Sequence, residues 1–91
     1  MSNLEKAIEV AQSEYFTGLA RLIMIVRLGY TRKRQIIRAG LGASTIYLNL
    51  LKATQRELAL LKGDEIKLTP KGEKIADILL EAFNKLCKIE H

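Results

Sequence analysis

The sequence predicts an α+β fold that is mainly helical. Three observations predict it: apolar residues recur at helical intervals near both ends, two short helical stretches flank a turn with two glycines, and an alternating apolar pattern surrounds a Gly-Asp pair. The chain of 91 residues is 48% hydrophobic and 27% charged, which is a globular balance. We therefore expect a single domain with one core over residues 1–91.

The stretch 3–28 predicts a long N-terminal helix. Ser2 and Glu5 have the S-x-x-E spacing of a capping box, and apolar residues then recur every three or four positions. Gly18 weakens the helix interior by about 1 kcal/mol, so we expect a bend there or a break into two pieces. The apolar run Leu22–Val26 is far shorter than the roughly 20 residues of a membrane span, and it indicates a helix segment buried on most sides.

Two short helices are predicted in the middle of the chain, over 32–39 and 45–55. Thr31 is the candidate N-cap of the first helix, and Ser44 is that of the second. The turn between them contains two glycines, one of which is well placed as a left-handed C-cap. Ile36–Ile37 on the first of these helices are expected to face the core.

Residues 57–69 predict a β-hairpin of two short strands, 57–61 and 65–69. The Gly63-Asp64 pair between them supplies the positive φ that a tight turn needs. Period-two alternation predicts that one face of the hairpin is buried. The residues expected on that face are Leu58, Leu60, Ile66 and Leu68.

The last predicted helix spans 70–88. Thr69 is its expected N-cap, and Pro70 takes the first helical position, where its missing N–H costs nothing. Two neighbouring apolar stripes run along this helix, and one stripe suffices for the domain's own core. The other predicts a homodimer held by the N-terminal helix, the C-terminal helix or both.

Positive charge is concentrated in the middle of the chain. Residues 31–56 contain six lysines and arginines and no acid, whereas the flanking segments are close to neutral and the whole chain carries +5. A charge block on one structural unit is typical of a surface that binds a polyanion. The alternative is a solvated face that only aids solubility.

In the predicted order of elements, 31–55 is a helix-turn-helix and 57–69 follows it as a wing. The second helix of such a pair fits the major groove of DNA, which is about 12 Å wide. The stretch 31–75 resembles a winged-helix domain, of the kind found in small regulators of archaea and their viruses. Two segments carry the resemblance: GLGASTIYLNLLK, with a recognition-helix pattern, and DEIKLTPKGEKIA, which is similar to a wing strand that leads into the closing helix.

The resemblance implies a set of DNA contacts. Recognition-helix side chains would face the major groove, basic side chains of the supporting helix would contact phosphates, and a wing-tip lysine would touch the backbone or minor groove. These residues are Ser44, Thr45, Tyr47 and Lys52 for the major groove, Arg32, Lys33, Arg34 and Arg38 for the phosphates, and Lys62 for the wing. Leu48 stands where such a helix often has a polar residue, which predicts weaker sequence specificity. The alternatives are an interface aromatic at Tyr47 and plain surface cations on the supporting helix.

The sequence predicts neither an enzyme nor a cofactor or metal site. It contains no Ser-His-Asp or Cys-His arrangement, no glycine-rich phosphate loop and no cluster of metal ligands. Cys87 is expected to pack as a small apolar residue, and His91 is expected to be neither ligand nor catalyst. One cysteine and no signal-peptide pattern favour an intracellular protein, which we expect in the cytoplasm and associated with the nucleoid.

The sequence therefore favours a dimeric transcriptional regulator that binds double-stranded DNA and excludes polymerase or another factor. Two recognition helices of such a dimer reach half-sites about one helical turn apart. An architectural, chromatin-type DNA-binding protein is the first alternative. A winged-helix module that binds protein is the second, and the acid-free segment 31–56 argues against it.

Overall fold

The structure, a computed structural model, describes residues 3–90. They form five helices and one two-stranded antiparallel sheet, which confirms the mainly helical α+β class. Ser2 and His91, about which the sequence makes predictions, lie outside the described residues. The elements are α1 (Asn3–Gln12), α2 (Gly18–Arg27), α3 (Lys33–Ala39), α4 (Ala43–Gln55), β1 (Ala59–Lys62), β2 (Glu65–Leu68) and α5 (Pro70–Glu90).

The stretch 3–28 forms two helices, α1 and α2, which is the divided form of the predicted helix. The break lies just before Gly18 because Thr17 caps the new helix there. The Thr17 hydroxyl accepts a hydrogen bond from the Ala20 N–H at 3.1 Å, and the Thr17 backbone is extended. The glycine is therefore the first residue of α2, not a weak point inside a longer helix.

Helix α2 forms the centre of the core. All five residues of Leu22–Val26 are buried, which confirms the expected segment covered on most sides. Helices α1, α4 and α5 and strand β2 all pack against α2. A helix that is apolar on every side needs such a cover in water.

Thr31 does not cap α3, contrary to the prediction. Its carbonyl accepts a hydrogen bond from the Ile66 N–H at 2.8 Å, and its hydroxyl donates to the Glu65 carboxylate at 3.1 Å, so the hairpin holds it instead. Gln35 secures the start of α3: its side-chain oxygen accepts from the backbone N–H groups of Thr31 and Arg32, at 3.1 Å each. Arg32 therefore holds the N-cap position.

Ser44 is the second residue of α4 and not its predicted N-cap. Gly42 holds that position with an extended backbone, so the helix begins two residues earlier than expected. Gly40 has a φ of 118°, which makes it the left-handed C-cap predicted for one of the two glycines. Leu41, buried between these glycines, anchors the turn in the core.

The hairpin turns at Gly63-Asp64 as predicted, but its strands are shorter, and the first has the opposite phase. Ile66 is buried and Leu68 half-buried, as expected for the inner face. The prediction that Leu60 also lies on the inner face is wrong: Leu60 is 56% exposed and pairs with Lys67 on the outer face.

A backbone kink before β1 explains the phase error. Glu57 has a φ of 59°, a left-handed conformation that few side chains adopt, so Leu58 lies outside the strand although it is buried. Ala59 and Leu61 consequently take the inner positions of β1.

The start of α5 is locked to this kink. Thr69 caps the helix as predicted, since its hydroxyl accepts from the Gly72 N–H at 3.0 Å, and it also donates to the Glu57 carbonyl at 2.6 Å. The Leu58 carbonyl accepts from the Thr69 N–H at 3.0 Å. A Cβ on Gly72 would overlap that same carbonyl, so only glycine allows this approach. The helix runs to Glu90, two residues beyond the predicted end.

An ion-pair group on the surface joins α2 to α5. Arg27 donates to both carboxylate oxygens of Asp77, at 2.8 and 3.3 Å, and to Glu73 at 3.3 Å. The hydrogen bond from Arg27 lowers the pKa of Asp77, and the same bond raises the pKa of Arg27. The arrangement fixes the last turn of the central helix against the first half of α5.

Replacing Gly72 with alanine sets two effects against each other. Helix propensity alone would stabilise the protein by about 1 kcal/mol. Because the new methyl would overlap the Leu58 carbonyl, we expect instead a net loss of about 1–2 kcal/mol in the free energy of unfolding, measured by urea denaturation. Lys74→Ala on the exposed side of the same helix is the control and should change stability by less than about 0.5 kcal/mol. A stabilised Gly72→Ala variant would contradict the close approach.

Stability should fall in acid partly through Asp77. Its folded pKa lies below the unfolded value of about 3.9, so its contribution is complete above that value and is lost as the pH falls through the folded pKa. We expect the free energy of unfolding to decrease less between pH 5 and pH 2 in Asp77→Asn than in the parent protein. In an Arg27→Gln background the same replacement should leave the pH profile unchanged, and a persisting difference would refute the pairing.

Candidate nucleic-acid interface

Helix α4 packs one face into the core and leaves the other open. Ile46, Asn49 and Ala53 are buried, and they hold the helix against α2 and β1. The exposed side chains of α4 include Ser44, Tyr47, Leu48, Leu51, Lys52 and Gln55. Three of the four residues predicted to face the DNA major groove are thus on the open face, while Thr45 is half-buried at its edge.

The buried side chain of Asn49 packs α4 against the start of α2. Its amide donates to the Thr45 carbonyl at 2.8 Å, and it lies against Gly18 at the start of α2. A Cβ on Gly18 would come within 2.5 Å of the Asn49 amide nitrogen. The sequence does not predict this contact, because a lone Asn within a helical pattern gives no sign of burial.

The exposed cations of α3 are Lys33, Arg34 and Arg38. Their side chains make no hydrogen bond or ion pair with any residue of the described range 3–90. Arg34 and Arg38 are four residues apart, so they share one face of the helix. Three of the four residues predicted as phosphate contacts are therefore free to meet an anion.

Arg32 is engaged within the protein, unlike the other three. Its guanidinium contacts the Asp64 carboxylate at 3.0 and 3.2 Å, and its backbone pairs with Glu65 in an antiparallel bridge. This ion pair ties the start of α3 to the tip of the hairpin. The charge of Arg32 is partly neutralised there, which reduces its capacity for a phosphate.

Lys62 ends β1 immediately before the turn and is exposed, so it lies at the tip of the hairpin as expected. It pairs with Glu65 in the strand register. The outer face of the hairpin also carries Lys67, which is not among the predicted DNA contacts.

A groove of about 560 Å³ lies between the start of α3, the open face of α4 and the hairpin. We call it the basic groove, because cations rim an apolar floor. It is lined by Arg32, Lys33, Arg34, Ile37, Tyr47, Leu50, Leu61, Gly63, Asp64 and Ile66.

Ile37, on the floor of the basic groove, was not expected at the surface. The prediction that Ile37 faces the core is wrong: Ile36 is fully buried, whereas Ile37 is 46% exposed. Adjacent residues of a helix point about 100° apart, and α3 packs against the core with the side that carries Ile36 and Ala39, which leaves Ile37 outside. Leu61 is 55% exposed although it takes an inner position on β1, where it lies next to the turn.

The described residues 3–90 contain no group of metal-ligating side chains, and none of their helices is long and apolar enough to cross a membrane. Cys87 is half-buried and packs against the core, as expected. No protein family, curated protein or solved structure matches this chain.

The contact between Gly18 and Asn49 can be tested by a double-mutant cycle. Gly18→Ala should destabilise the fold by about 1–3 kcal/mol, because the new methyl displaces a buried amide. In an Asn49→Ala background the same change should cost much less, with a coupling of at least about 0.5 kcal/mol. Urea unfolding of the four proteins gives the coupling, and strict additivity would show that the two residues do not contact each other.

Proposed function

We propose that this chain binds double-stranded DNA, with the open face of α4 in the major groove and the hairpin beside it. One observation carries the proposal: the acid-free segment 31–56 folds into a single unit of α3, turn and α4, with its free cations around an open helix. Lys33 and Arg34 border the same groove as Tyr47 of α4. A helix with side chains is about 10–12 Å across, which fits a major groove about 12 Å wide.

In this arrangement α3 lies across the DNA backbone. Lys33, Arg34 and Arg38 would each neutralise a phosphate and release counterions, which favours binding of any sequence. Ser44 and Tyr47 would reach base edges from the first turns of α4, while Lys52 would extend from its last turn. Lys62 would contact the backbone from the hairpin tip. As a regulator, the protein would act by occupancy, which excludes polymerase from the site, and this role would place it at the nucleoid.

Architectural binding with little sequence preference is the second candidate. Leu48 and Leu51 are about half exposed on the open face of α4. These side chains can contact a thymine methyl but donate no hydrogen bond to a base edge. The face thus has few groups for direct reading of sequence, and this supports weakly specific binding.

The proposal includes a homodimer through α5. Ile78 is 65% exposed and Ile89 is 80% exposed, and the half-buried Ala82 and Leu86 lie between them along one side of the helix. The same stripe on a second copy would cover these residues in a two-fold arrangement. Such a dimer would present two α4 helices to neighbouring turns of the duplex.

DNA binding is tested by the salt dependence of affinity for a labelled duplex, measured by fluorescence anisotropy. Each lost phosphate contact should reduce the log–log slope by about 0.9, so Lys33→Ala with Arg34→Ala should reduce it by about 1.8. The matched control is Lys74→Ala with Lys88→Ala, which removes the same charge from exposed positions of α5. If both double variants reduced the slope equally, the salt dependence would reflect net charge alone, and the proposed interface would be rejected.

The same titration separates the two candidates. A preference of at least about 10³ for one duplex over an unrelated one supports a regulator, and near-equal affinities support the architectural role. Absence of binding at low salt rules out both. Sedimentation equilibrium of the same samples gives the mass, and a monomer at the concentrations that bind DNA would reject the dimer.

A further inference from the structure

Exposed apolar side chains are concentrated where the positive charge is. Nine large hydrophobic residues are exposed within the described range 3–90, and six of them belong to α3, α4 and β1. These six are Ile37, Tyr47, Leu48, Leu51, Leu60 and Leu61. Exposed apolar patches rimmed by polar residues are typical of protein-binding surfaces.

The floor of the basic groove is more apolar than a DNA backbone requires. Ile37, Tyr47 and Leu61 are each about half exposed or more, and Leu50 and Ile66 lie at the base between them. A phosphodiester chain has no apolar surface that could cover three such side chains. The floor is therefore suited to an occupant with apolar groups of its own.

The rim adds a requirement for negative charge. Lys33 and Arg34 make no side-chain pairs within residues 3–90, whereas Asp64 is already bound to Arg32. An occupant that covers the floor must desolvate these two cations in part, and an acidic group offsets that cost better than a neutral acceptor does. The basic rim and the apolar floor thus favour the same class of partner, one that carries both acidic and apolar groups.

We propose that the basic groove binds an acidic protein segment that carries apolar anchors, and that this partner and DNA exclude one another. The groove volume of about 560 Å³ suits one or two turns of an amphipathic helix, which presents apolar anchors three or four residues apart. The partner covers Lys33, Arg34 and Tyr47, so it displaces the duplex. This exclusion rests on the proposed function, but the docking itself does not.

The test uses two labelled synthetic peptides of about 16 residues with equal numbers of glutamates. One has leucines at helical spacing and the other has serines at the same positions. We expect the leucine peptide to bind at least about 10-fold more tightly in anisotropy titrations, and unlabelled leucine peptide to displace a bound duplex. Equal affinity of the two peptides would mean charge attraction alone and would overturn the proposal.

The variants distinguish the groove from the rest of the surface. Ile37→Ser with Leu61→Ser should weaken leucine-peptide binding by at least about 10-fold and leave duplex affinity unchanged. Leu60→Ser is the matched control, because Leu60 adjoins Leu61 and is equally exposed but lies on the opposite face of the hairpin. It should bind the peptide like the parent protein. If circular dichroism shows that the double variant does not fold, the single variant Leu61→Ser replaces it in the titration.

The outcomes separate this inference from the proposed function. Duplex binding without leucine-peptide binding rejects the docking and leaves DNA binding intact. Peptide binding that depends on Ile37 and Leu61, without duplex binding, supports the docking and rejects DNA binding. Peptide binding that all variants retain rejects the basic groove as the docking site.

Discussion

The rest of the structure depends on the need to cover α2 from all sides. Leu22–Val26 leave no polar face, so water must be excluded around this segment of the helix, and α1, α4, α5 and β2 supply that cover. The elements are then placed by what they bury, not by their own propensity. Helix α4 gives its Ile46 and Ala53 to this cover, which is why its opposite face remains at the surface.

Two glycines permit the close approaches that this cover requires. Gly72 lets α5 approach the Leu58 carbonyl, and Gly18 makes room for the buried Asn49 of α4. The hairpin is held to the start of α3 by the backbone hydrogen bond between Ile66 and Thr31 and by the ion pair between Arg32 and Asp64. The orientation of α4 relative to the hairpin, and with it the shape of the basic groove, therefore follows from the two glycine contacts outside the groove and from the Arg32–Asp64 pair on its rim.

The surface built in this way combines two chemistries. Free cations on α3 favour phosphates, while the floor formed by Ile37, Tyr47 and Leu61 favours an apolar partner. In the two proposals, one surface serves two ligands in turn, and each excludes the other. A protein of this size has few faces to offer, because most of its apolar residues are committed to a single core.

The sequence by itself determined the type and order of the elements, the start of α5 at Thr69-Pro70, a left-handed glycine cap after α3, the turn at Gly63-Asp64 and the charge block 31–56. These features depend on composition and on local backbone chemistry, which a residue and its immediate neighbours in the sequence determine. Only the tertiary structure decided the phase of β1, the outward position of Ile37, the capture of Thr31 by the hairpin and the partial neutralisation of Arg32 by Asp64. The phase of β1 depends on the left-handed backbone at Glu57, which Thr69 holds, and the other three depend on contacts with residues distant in sequence. A periodic pattern does not show which distant group will compete for the same atom or face.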